Sequence, residues 1–467
     1  MNLKFTYTRP GASRLILLFA GWGMSPRPLD DVSMPGYDVA VVWDYRDMSA
    51  PWLEELSGYE ETVVVAWSFG VHAASRFMAS HPGLRVTARI AVNGTRFTAD
   101  DSRGIPRAIF DATLAGLSER SVIKFNMRMC GGAAAYKEFA LRAPARSVDD
   151  LREELSAFDT CEAPRMLWDK AFVSQDDMII PAANQSEAWA SDAVQTIVID
   201  GPHLPDFNRL LRGCLTDKSH VEKRFRKAET TYDDNATAQY ATAARLLDLA
   251  ASHAPAAVGD ILEAGCGTGR FTSMLLDRFG PARATLWDLH IAPQIEALRT
   301  SHPDIALTTL SCDAESEIAR QPDEAFDMIL SASTVQWFNS LRSFLTEASR
   351  TLRPGGVIAL STYGPDTMCE PRVALGTSGR FLSLEQISRC VPSSLSVAEI
   401  TEERHTSLFG SPLEVLRHMS RTGVNGLSAG DSGDTAAGCR MLRNYPLDSE
   451  GKAPLTYHPI YLVLKKS

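Results

Sequence analysis

Three residues that are far apart in the chain, Ser68, Asp177 and His203, have the side chains of a nucleophile, an orienting acid and a general base. Ser68 lies in Ala66-Trp67-Ser68-Phe69-Gly70, which matches the nucleophile elbow G-x-S-x-G except that Ala66 replaces the first glycine. On this pentapeptide alone, a nucleophile elbow and a strand that ends in a polar turn are equal alternatives. The order of the other two residues favours the elbow, since such elbows are followed by an acid after a later strand and by a histidine last. We therefore expect His203 to deprotonate Ser68 while the acid fixes the imidazole tautomer.

Small residues after the first long apolar run indicate an oxyanion hole. The segment Phe19-Ala20-Gly21-Trp22-Gly23 allows close approach of main chain, and we expect the backbone amides of Trp22 and Phe69 to be the donors. A Trp22 that only covers the core is the alternative. Asp176 is the second candidate for the acid. His72, one helical turn after Ser68, is expected to pack in the elbow helix rather than to act as the base.

A second pattern, Glu263-Ala264-Gly265-Cys266-Gly267-Thr268-Gly269, follows another apolar run. Glycines without Cβ atoms can adopt positive φ and let main chain approach a ligand at the carboxyl edge of an α/β sheet. A dinucleotide fingerprint needs its third glycine three residues after the second, and Arg270 occupies that place. The spacing therefore disfavours NAD.

The E-x-G-x-G-x-G pattern instead resembles the first motif of class I S-adenosylmethionine methyltransferases, and later parts of that family follow in order. Asp288 ends the next strand, Asp313-Ala314 follows another, and Leu352-Arg353-Pro354-Gly355-Gly356 resembles the turn before the fifth strand. The resemblance implies that S-adenosylmethionine binds at Gly265, Gly267 and Gly269, with Asp288 at its ribose and with Asp313 and Ala314 at its adenine. For Glu263 it implies support of the glycine loop or of the methionine moiety, and a helix-terminal acid is the alternative.

Two α/β sheets are needed to position these residues. Apolar β-branched runs with helix-permissive sequence between them recur at Leu15–Phe19, Val39–Trp43, Thr62–Ala66 and Arg89–Val92, the rhythm of a parallel sheet. A chain of 467 residues also exceeds the size of a single core. We predict an α/β-hydrolase fold over residues 1–212 with a helical lid at about 100–165, a linker at 213–224, and a class I, Rossmann-like methyltransferase fold over residues 225–467.

Composition narrows the function classes. A formal net charge of −10 disfavours nonspecific nucleic-acid binding. No apolar run approaches the ~20 residues that span a bilayer, and the first residues lack the apolar region of a signal peptide, so we expect a cytoplasmic protein without membrane partners. The cysteines are scattered without C-x-x-C pairs or nearby histidine clusters, which predicts small buried side chains rather than a metal site.

The N-terminal half resembles the BioG-type pimeloyl-[acyl-carrier-protein] methyl ester esterases over about residues 1–212. The motifs that carry the resemblance are Gly21-Trp22-Gly23, Ala66 to Val71, Val92-Asn93-Gly94-Thr95 and Gly201-Pro202-His203. It implies an acyl carrier protein as the partner that delivers the substrate.

Basic residues in the predicted lid are candidates for contact with that carrier. Arg120, Lys124 and Arg128 recur every fourth residue and would share one helix face; Lys137, Arg142 and Arg146 follow. A solvated basic face and a docking surface for an acidic carrier protein are both open interpretations.

The C-terminal half resembles the BioC-type malonyl-[acyl-carrier-protein] O-methyltransferases over about residues 221–467. The motifs are Phe225 to Gln239, Gln336-Trp337-Phe338, Ser411 to Met419 and Thr422-Gly423-Val424-Asn425. The family implies that Tyr232 lies where its phenol orients the substrate carboxylate, although an anchor for the N-terminal helix is the alternative. A malonyl carboxylate is ionised near pH 7, so we expect no catalytic base.

Together the two resemblances imply a bifunctional enzyme of biotin synthesis, which methylates malonyl-[acyl-carrier protein] and hydrolyses pimeloyl-[acyl-carrier protein] methyl ester. Two alternatives are a methyltransferase for another small carboxylic acid joined to a different carboxylesterase, and an inactive hydrolase that serves only as a carrier-docking module. The residues themselves indicate reaction types, and the family resemblance supplies the substrates.

Overall fold

The structure is a computed structural model that describes residues 1–158, 162–192, 194–376, 381–422 and 435–467. Contacts between Cα atoms divide the chain into two compact units, Met1–Gly213 and Cys214–Ser467. Within the described residues, each unit is built around one seven-stranded sheet.

The first unit alternates strands and helices. Its elements in chain order are β1 (Asn2–Tyr7), β2 (Arg14–Phe19), β3 (Asp38–Trp43), β4 (Glu61–Trp67), α1 (Gly70–Ser80), β5 (Ala88–Val92), α2 (Arg107–Ala115), α3 (Glu119–Met129), α4 (Ala133–Ala140), α5 (Val148–Ala157), β6 (Lys170–Ser174), α6 (Ala182–Asp192), β7 (Gln195–Ile199) and α7 (Phe207–Cys214). The four apolar runs of the sequence lie in β2, β3, β4 and β5.

The sheet of the first unit has the order β1-β3-β2-β4-β5-β6-β7. Only β1 runs antiparallel to its neighbour among the described strands. β4 is buried along its whole length, as expected for a parallel strand with both faces covered. The loops after β4, β6 and β7 leave the sheet at one edge, and α2 to α5 lie in the connection between β5 and β6. The predicted α/β-hydrolase fold class is confirmed.

The second unit begins with two long helices. Its elements are α8 (Lys218–Asn235), α9 (Thr237–His253), β8 (Asp260–Ala264), α10 (Arg270–Phe279), β9 (Arg283–Asp288), α11 (Ile295–Ser301), β10 (Ala306–Ser311), α12 (Ala314–Glu317), β11 (Phe326–Ala332), α13 (Leu341–Thr351), β12 (Leu352–Tyr363), α14 (Cys369–Leu375), α15 (Leu384–Ser388), β13 (Leu395–Glu402), β14 (His405–Phe409), α16 (Pro412–Arg421), α17 (Thr435–Asn444), β15 (Ala453–Tyr457) and β16 (Pro459–Lys466).

The sheet of the second unit has the order β10-β9-β8-β11-β12-β16-β13, with β14 and β15 paired separately. β16 runs antiparallel to both neighbours, while β8 to β12 pair in parallel. Apolar clusters pack on both faces of this sheet. The predicted class I methyltransferase fold is confirmed.

Two local predictions for the second unit need correction. The segment Leu352 to Gly356 lies inside β12 rather than before it, since Phe326 pairs with Leu352 and Met328 with Val357, which leaves the intervening residues as an irregularity of the strand. The segment 213–224, predicted as a linker, contains the end of α7 and the first turns of α8. Its charges belong to an amphipathic helix, which Asp217 caps by accepting a hydrogen bond from the His220 amide at 3.0 Å.

Within the described residues, no helix is both long enough and apolar enough to cross a bilayer. The motif Gly423-Val424-Asn425 lies outside the described residues.

Candidate active sites

Ser68 lies in the turn between β4 and α1 with a φ of +58°, a conformation that is uncommon for a residue with a Cβ atom. The chain is crowded around this turn. A Cβ atom on Gly70 would lie 2.3 Å from the Phe19 carbonyl oxygen, and one on Gly94 would lie 2.2 Å from that of Ser68. These two positions therefore need glycine. Ala66 is fully buried in β4, so the elbow forms with alanine at its first position.

Ser68, His203 and Asp177 form one chain of hydrogen bonds. Oγ of Ser68 lies 2.8 Å from Nε2 of His203, and Nδ1 of His203 lies 2.7 Å from Oδ2 of Asp177. The other oxygen of Asp177 accepts two backbone amides of the following turn at 2.8 and 2.9 Å. Asp177, and not the exposed Asp176, is the acid in contact with the imidazole. This arrangement allows His203 to remove the Ser68 proton while Asp177 holds the ring.

The loop that carries His203 is held by two buried donors. Nε1 of Trp67 and Nδ2 of Asn93 both donate to the His203 carbonyl oxygen, at 2.8 and 2.9 Å. Asn93 has a φ of +46° and also bonds the Ser174 amide and hydroxyl, at 2.7 and 2.8 Å. Asn93 therefore ties the end of β6 to the histidine loop. Sequence reasoning did not give it this role, and its position directly after β5 is the available signal.

His72 does not take part in this chain of hydrogen bonds. Its Nδ1 lies 2.9 Å from the Arg96 carbonyl oxygen, and burial lowers the pKa of the imidazole to about 4. It is a neutral packing residue of the elbow helix, as the sequence predicts.

Trp22 and Phe69 line a cavity together with Ser68. Neither backbone amide donates a hydrogen bond to another group in the described part of the chain. Both amides can therefore serve as oxyanion donors, and that role stays a prediction. The indole of Trp22 also has a structural role, because its Nε1 donates to the Leu151 carbonyl oxygen at 2.9 Å.

A buried carboxylate, Glu154 on α5, fixes the oxyanion loop from behind. It is 0% exposed and accepts the Gly23 amide at 3.0 Å and the Tyr45 amide at 3.1 Å. Arg146 donates to it at 2.6 Å. Burial raises the pKa of Glu154, while Arg146 and the two amides oppose that shift. The sequence analysis did not single out Glu154.

The basic residues of the predicted lid separate into two groups. Arg120, Lys124 and Arg128 are exposed on α3, and they make no ion pair with any described residue. Arg142 pairs instead with Asp30 and Asp31, and Arg146 with Glu154. The last two arginines therefore do not belong to an unpaired basic face, because Arg142 is paired with two distant acids and Arg146 with a buried acid eight residues further along the chain.

Arg128 also borders the cavity at Ser68 and a second cavity that opens between α2 and α3. The side chains that line the first cavity are mainly apolar and include Ile105, Ile109, Phe110, Phe125 and Ile179. The basic face of α3 thus begins where an apolar path to Ser68 reaches the surface.

In the second unit, glycine is needed at the three predicted positions for different structural reasons. Gly265, Gly267 and Gly269 all have positive φ, of +85°, +51° and +87°. A Cβ atom on Gly265 would lie 2.0 Å from Oγ1 of Thr334, and one on Gly269 would lie 2.7 Å from Cδ1 of Ile295. At Gly267 a Cβ atom would meet no protein atom within 4 Å, so this glycine exposes main chain to the adjoining cavity.

That cavity is lined by residues of α8 and of the loops after β8, β9, β10 and β11. Among the predicted site residues it contacts Tyr232, Gly265, Gly267, Asp288, Asp313 and Ala314. Gly269 lies outside this lining and instead packs against α11.

Asp288 lies at the end of β9 and orients the glycine loop. It accepts the Gly267 amide at 2.8 Å and the His290 amide at 3.2 Å. Burial raises the pKa of Asp288, while these backbone donors oppose that shift. The carboxylate lines the cavity where the resemblance implies a ribose.

Glu263 lies behind the glycine loop rather than in the lining of the cavity. It is 0% exposed, and neither oxygen accepts a hydrogen bond of normal geometry from a described residue. Burial raises the pKa of Glu263 to about 8. Of the two interpretations offered for it, support of the loop fits this position, since Glu263 is in β8 and not at a helix end.

Asp313, predicted at the adenine, is held by a residue that the sequence placed in the linker. Nζ of Lys218 lies 2.9 and 3.0 Å from the two oxygens of Asp313 and 2.8 Å from Oε2 of Glu315. Lys218 is 2% exposed. The missed signal is its spacing from Val221 and Phe225, which places all three on one helix face.

Tyr232 lies on the same face of α8 and packs in an aromatic group. The ring centroid of Phe225 lies 6.1 Å from that of Tyr232 and 5.7 Å from that of Trp337. Burial raises the pKa of Tyr232, so its hydroxyl keeps its proton and can donate a hydrogen bond. Both earlier interpretations, an anchor and a substrate contact, agree with this position.

Comparison with known proteins supports two enzymatic halves. A family model described as pimeloyl-ACP methyl esterase BioG matches residues 1–211, and a methyltransferase-domain model matches residues 262–360. A malonyl-[acyl-carrier protein] O-methyltransferase of Bacteroides fragilis is 34% identical, over 98% of this chain and 94% of the relative. The chain belongs to the malonyl-[acyl-carrier protein] O-methyltransferase family.

Another malonyl-[acyl-carrier protein] O-methyltransferase, from Chlorobium luteolum, is 32% identical over 54% of this chain and 97% of its own length. The crystal structure of BioG from Haemophilus influenzae is 37% identical and covers 44% of this chain and 94% of that one, with a TM-score of 0.40. In this member of the malonyl-[acyl-carrier protein] O-methyltransferase family, the residues that match the BioG model precede those that match the methyltransferase-domain model.

Proposed function

We propose that the chain is a bifunctional enzyme of biotin synthesis. The second unit transfers a methyl group from S-adenosylmethionine to the free carboxylate of malonyl-[acyl-carrier protein], and the first unit hydrolyses pimeloyl-[acyl-carrier protein] methyl ester. The relatives' names supply the substrates, and the two sites supply the reaction types. The observation that carries the hydrolytic activity of the first unit is the unbroken hydrogen-bond chain from Ser68 to Asp177.

In the hydrolysis, Oγ of Ser68 attacks the ester carbonyl carbon while its proton passes to Nε2 of His203, 2.8 Å away. Asp177 stabilises the imidazolium that forms. The Trp22 and Phe69 amides are the proposed donors to the oxyanion. Methanol leaves with the proton from His203, and water then hydrolyses the acyl-enzyme through the same base.

The apolar lining of the Ser68 cavity favours a long acyl chain. Pimeloyl has four more methylenes than malonyl, and at about 0.8 kcal/mol each these supply about 3 kcal/mol, a preference of about a hundredfold. This preference protects the malonyl methyl ester from hydrolysis by the same chain. Arg120, Lys124 and Arg128 are the proposed contacts for the acidic carrier protein.

The cavity of the second unit fits S-adenosylmethionine. Gly267 opens main chain toward it, and Asp288 and Asp313 present carboxylates for the ribose and the adenine. When bound, this co-substrate supplies an electrophilic methyl group on a sulfonium. The acceptor carboxylate is already ionised near pH 7, so the protein needs to align it and exclude water rather than remove a proton. The Tyr232 hydroxyl is the proposed donor that orients the carboxylate.

The test uses the purified full-length chain with malonyl-[acyl-carrier protein] plus S-adenosylmethionine, and separately with pimeloyl-[acyl-carrier protein] methyl ester. We expect methyl transfer in the first assay, hydrolysis in the second, and labelling of Ser68 by a fluorophosphonate. Methyl transfer without hydrolysis or labelling would leave the first unit as a docking module. Activity only on other carboxylic acids or esters would replace the proposed substrates.

A further inference from the structure

Lys218 is a buried cation in the wall of the methyltransferase cavity, next to the acid predicted at the adenine. Its ammonium contacts both oxygens of Asp313, at 2.9 and 3.0 Å, and Oε2 of Glu315 at 2.8 Å. The Phe338 ring centroid lies 5.2 Å from Nζ. A lysine that is 2% exposed loses its hydration, so three close carboxylate oxygens are needed to compensate.

The two acids around Lys218 have different positions. Glu315 also accepts the Asn339 and Ser340 amides, at 2.9 and 2.6 Å, and it is not part of the cavity lining. Asp313 does line the cavity. Glu315 therefore anchors the ammonium from behind, and the ammonium in turn fixes the plane of the carboxylate that faces the ligand.

The position of Asp313 is also fixed relative to the ribose acid. β9 and β10 pair in parallel with Asp288 opposite Ser311, and the Cys312 amide donates to the Asp288 carbonyl oxygen at 2.7 Å. The two carboxylates thus lie at adjacent strand ends. This placement suits a nucleoside, since one carboxylate can accept from the sugar hydroxyls and the other from the base.

We propose that Lys218 is a positioning residue that makes the cavity select a 6-amino purine, by holding the Asp313 carboxylate as an oriented acceptor. This inference rests on the proposed binding of S-adenosylmethionine. An ionised carboxylate only accepts hydrogen bonds. The exocyclic amine of a 6-amino purine can donate a hydrogen bond to the Asp313 carboxylate. A 6-oxo group is itself an acceptor, so it places an acceptor opposite the carboxylate and offers no donor.

The experiment measures binding of S-adenosylhomocysteine and of its 6-oxo analogue, S-inosylhomocysteine, to the full-length chain by calorimetry. Wild type is expected to bind the 6-amino ligand about tenfold to a hundredfold more tightly. Lys218→Met is expected to reduce that ratio to about threefold or less, chiefly by weakening the 6-amino ligand. Lys223→Met is the matched control, because Lys223 is an exposed lysine on the same helix, and its ratio should equal that of wild type.

A Lys218→Met variant that binds both ligands more weakly but with the wild-type ratio would overturn the proposal, since it would show a structural role alone. If that variant does not fold, as judged by circular dichroism, Lys218→Ala provides the same measurement with a smaller side chain that donates no hydrogen bond to Asp313, and an unchanged ratio there also overturns the proposal. Wild type that binds neither ligand would refute the binding of S-adenosylmethionine itself, which is a different failure.

Discussion

The two candidate active sites differ in how their polar groups are partnered. In the first unit, Ser68, His203 and Asp177 each bond the next. In the second unit, the cavity walls present Asp288 and Asp313, and Glu263 behind them accepts no hydrogen bond of normal geometry from a described residue. A hydrolase supplies its own nucleophile and must hold it ready, whereas a methyltransferase takes both reacting groups from its ligands. The second site therefore lines its cavity with carboxylates that Lys218 and backbone amides hold in place, and it leaves the reacting groups to the ligands.

Two fully buried glutamates show the same contrast. Glu154 accepts three hydrogen bonds, one of them from Arg146, and Glu263 accepts none of normal geometry from the described residues. Burial raises the pKa of both, to about 8 for Glu263. A paired buried carboxylate is a structural tie, while an unpaired one stays protonated and is sensitive to what binds beside it.

The largest expected effect tests whether the two sites are independent. Ser68→Ala should lower ester hydrolysis by roughly a millionfold, because the nucleophile is lost, and should leave methyl transfer unchanged. Both activities are measured on the same full-length preparation with their carrier-bound substrates. Hydrolysis above about 1% of wild type would contradict the assignment of the nucleophile, and a parallel loss of methyl transfer would contradict the independence of the sites.

Glu154→Gln tests whether the buried carboxylate stabilises the first unit through its contacts with Arg146 and the Gly23 and Tyr45 amides. It leaves Arg146 without its buried carboxylate, which should cost about 3 kcal/mol and lower the temperature of half-inactivation of the esterase by about 6–12 °C. Glu153→Gln is the matched control, since that neighbour is 67% exposed and pairs with Arg46 on the surface. Equal shifts for the two variants would show that the buried network does not hold the oxyanion loop.

Asp288→Ala should weaken binding of S-adenosylhomocysteine by about 1.5 to 3 kcal/mol, the range for hydrogen bonds to a charged group. Calorimetry on the full-length chain measures this, with Asp304→Ala, an exposed acid of the same unit, as the control. Ester hydrolysis should not change. Unchanged affinity would remove Asp288 from the ligand site.

Because of the buried Glu263, we expect the stability of the second unit, and not that of the first, to depend on pH. Its folded-state pKa of about 8 lies above the ordinary 4.5, so the folded chain keeps a proton that the unfolded chain has lost. The stabilisation is complete below pH 4.5 and is lost as the pH rises toward 8, with a change of at most about 2.7 kcal/mol between pH 6 and pH 8.

The measurement is the temperature at which methyl-transfer activity is half lost after heating without ligands, at pH 6 and at pH 8. Wild type should be less stable at pH 8, and Glu263→Gln should show a smaller difference because its amide does not titrate. The same difference in both proteins would show that Glu263 is not the group responsible.

The smallest expected effect concerns the basic face of α3. Replacing Arg120, Lys124 and Arg128 together by Glu should lower kcat/KM for the carrier-bound ester by about tenfold relative to a small free methyl ester. Reversal of Lys4, Arg9 and Arg85, which are exposed elsewhere in the first unit, is the control for net charge. Equal losses on both esters would restore the interpretation of a solvated face.

Local patterns in the sequence predicted much of this arrangement. Parallel strands end at one edge of a sheet, so the order of Ser68, Asp177 and His203 after successive strands was enough to predict that they approach one another. The glycine loop and Asp288 followed in the same way from adjacent strand ends. Their catalytic and binding roles stay predictions.

Contacts between distant segments were not predictable by this reasoning. Arg142 pairs with Asp30 across 112 residues, and Lys218 bonds Asp313 across 95 residues. Nothing local distinguishes the buried pair of Lys218 and Asp313 from an exposed pair such as that of Arg142 and Asp30, because the partner is set by tertiary packing. Lys218 in particular lies in a charged run that is typical of a linker, and only the helical spacing of Val221 and Phe225 could have assigned it to an inward face.

The position of β16 has a consequence for how the chain is made. Among the described strands β16 comes latest in the sequence, yet it lies between β12 and β13 and forms seven residue pairs with each. The described strands of the first sheet end at Ile199, whereas the described strands of the second sheet cannot all pair until Lys466 has emerged, on the order of tens of seconds later. After β12 has emerged and before β16 has, β12 has an open edge, which is a site for wrong pairing with other chains. Under the proposed function, the ribosome therefore delivers the ester-cleaving site first and the ester-forming site last, the reverse of the order in which the substrate meets them.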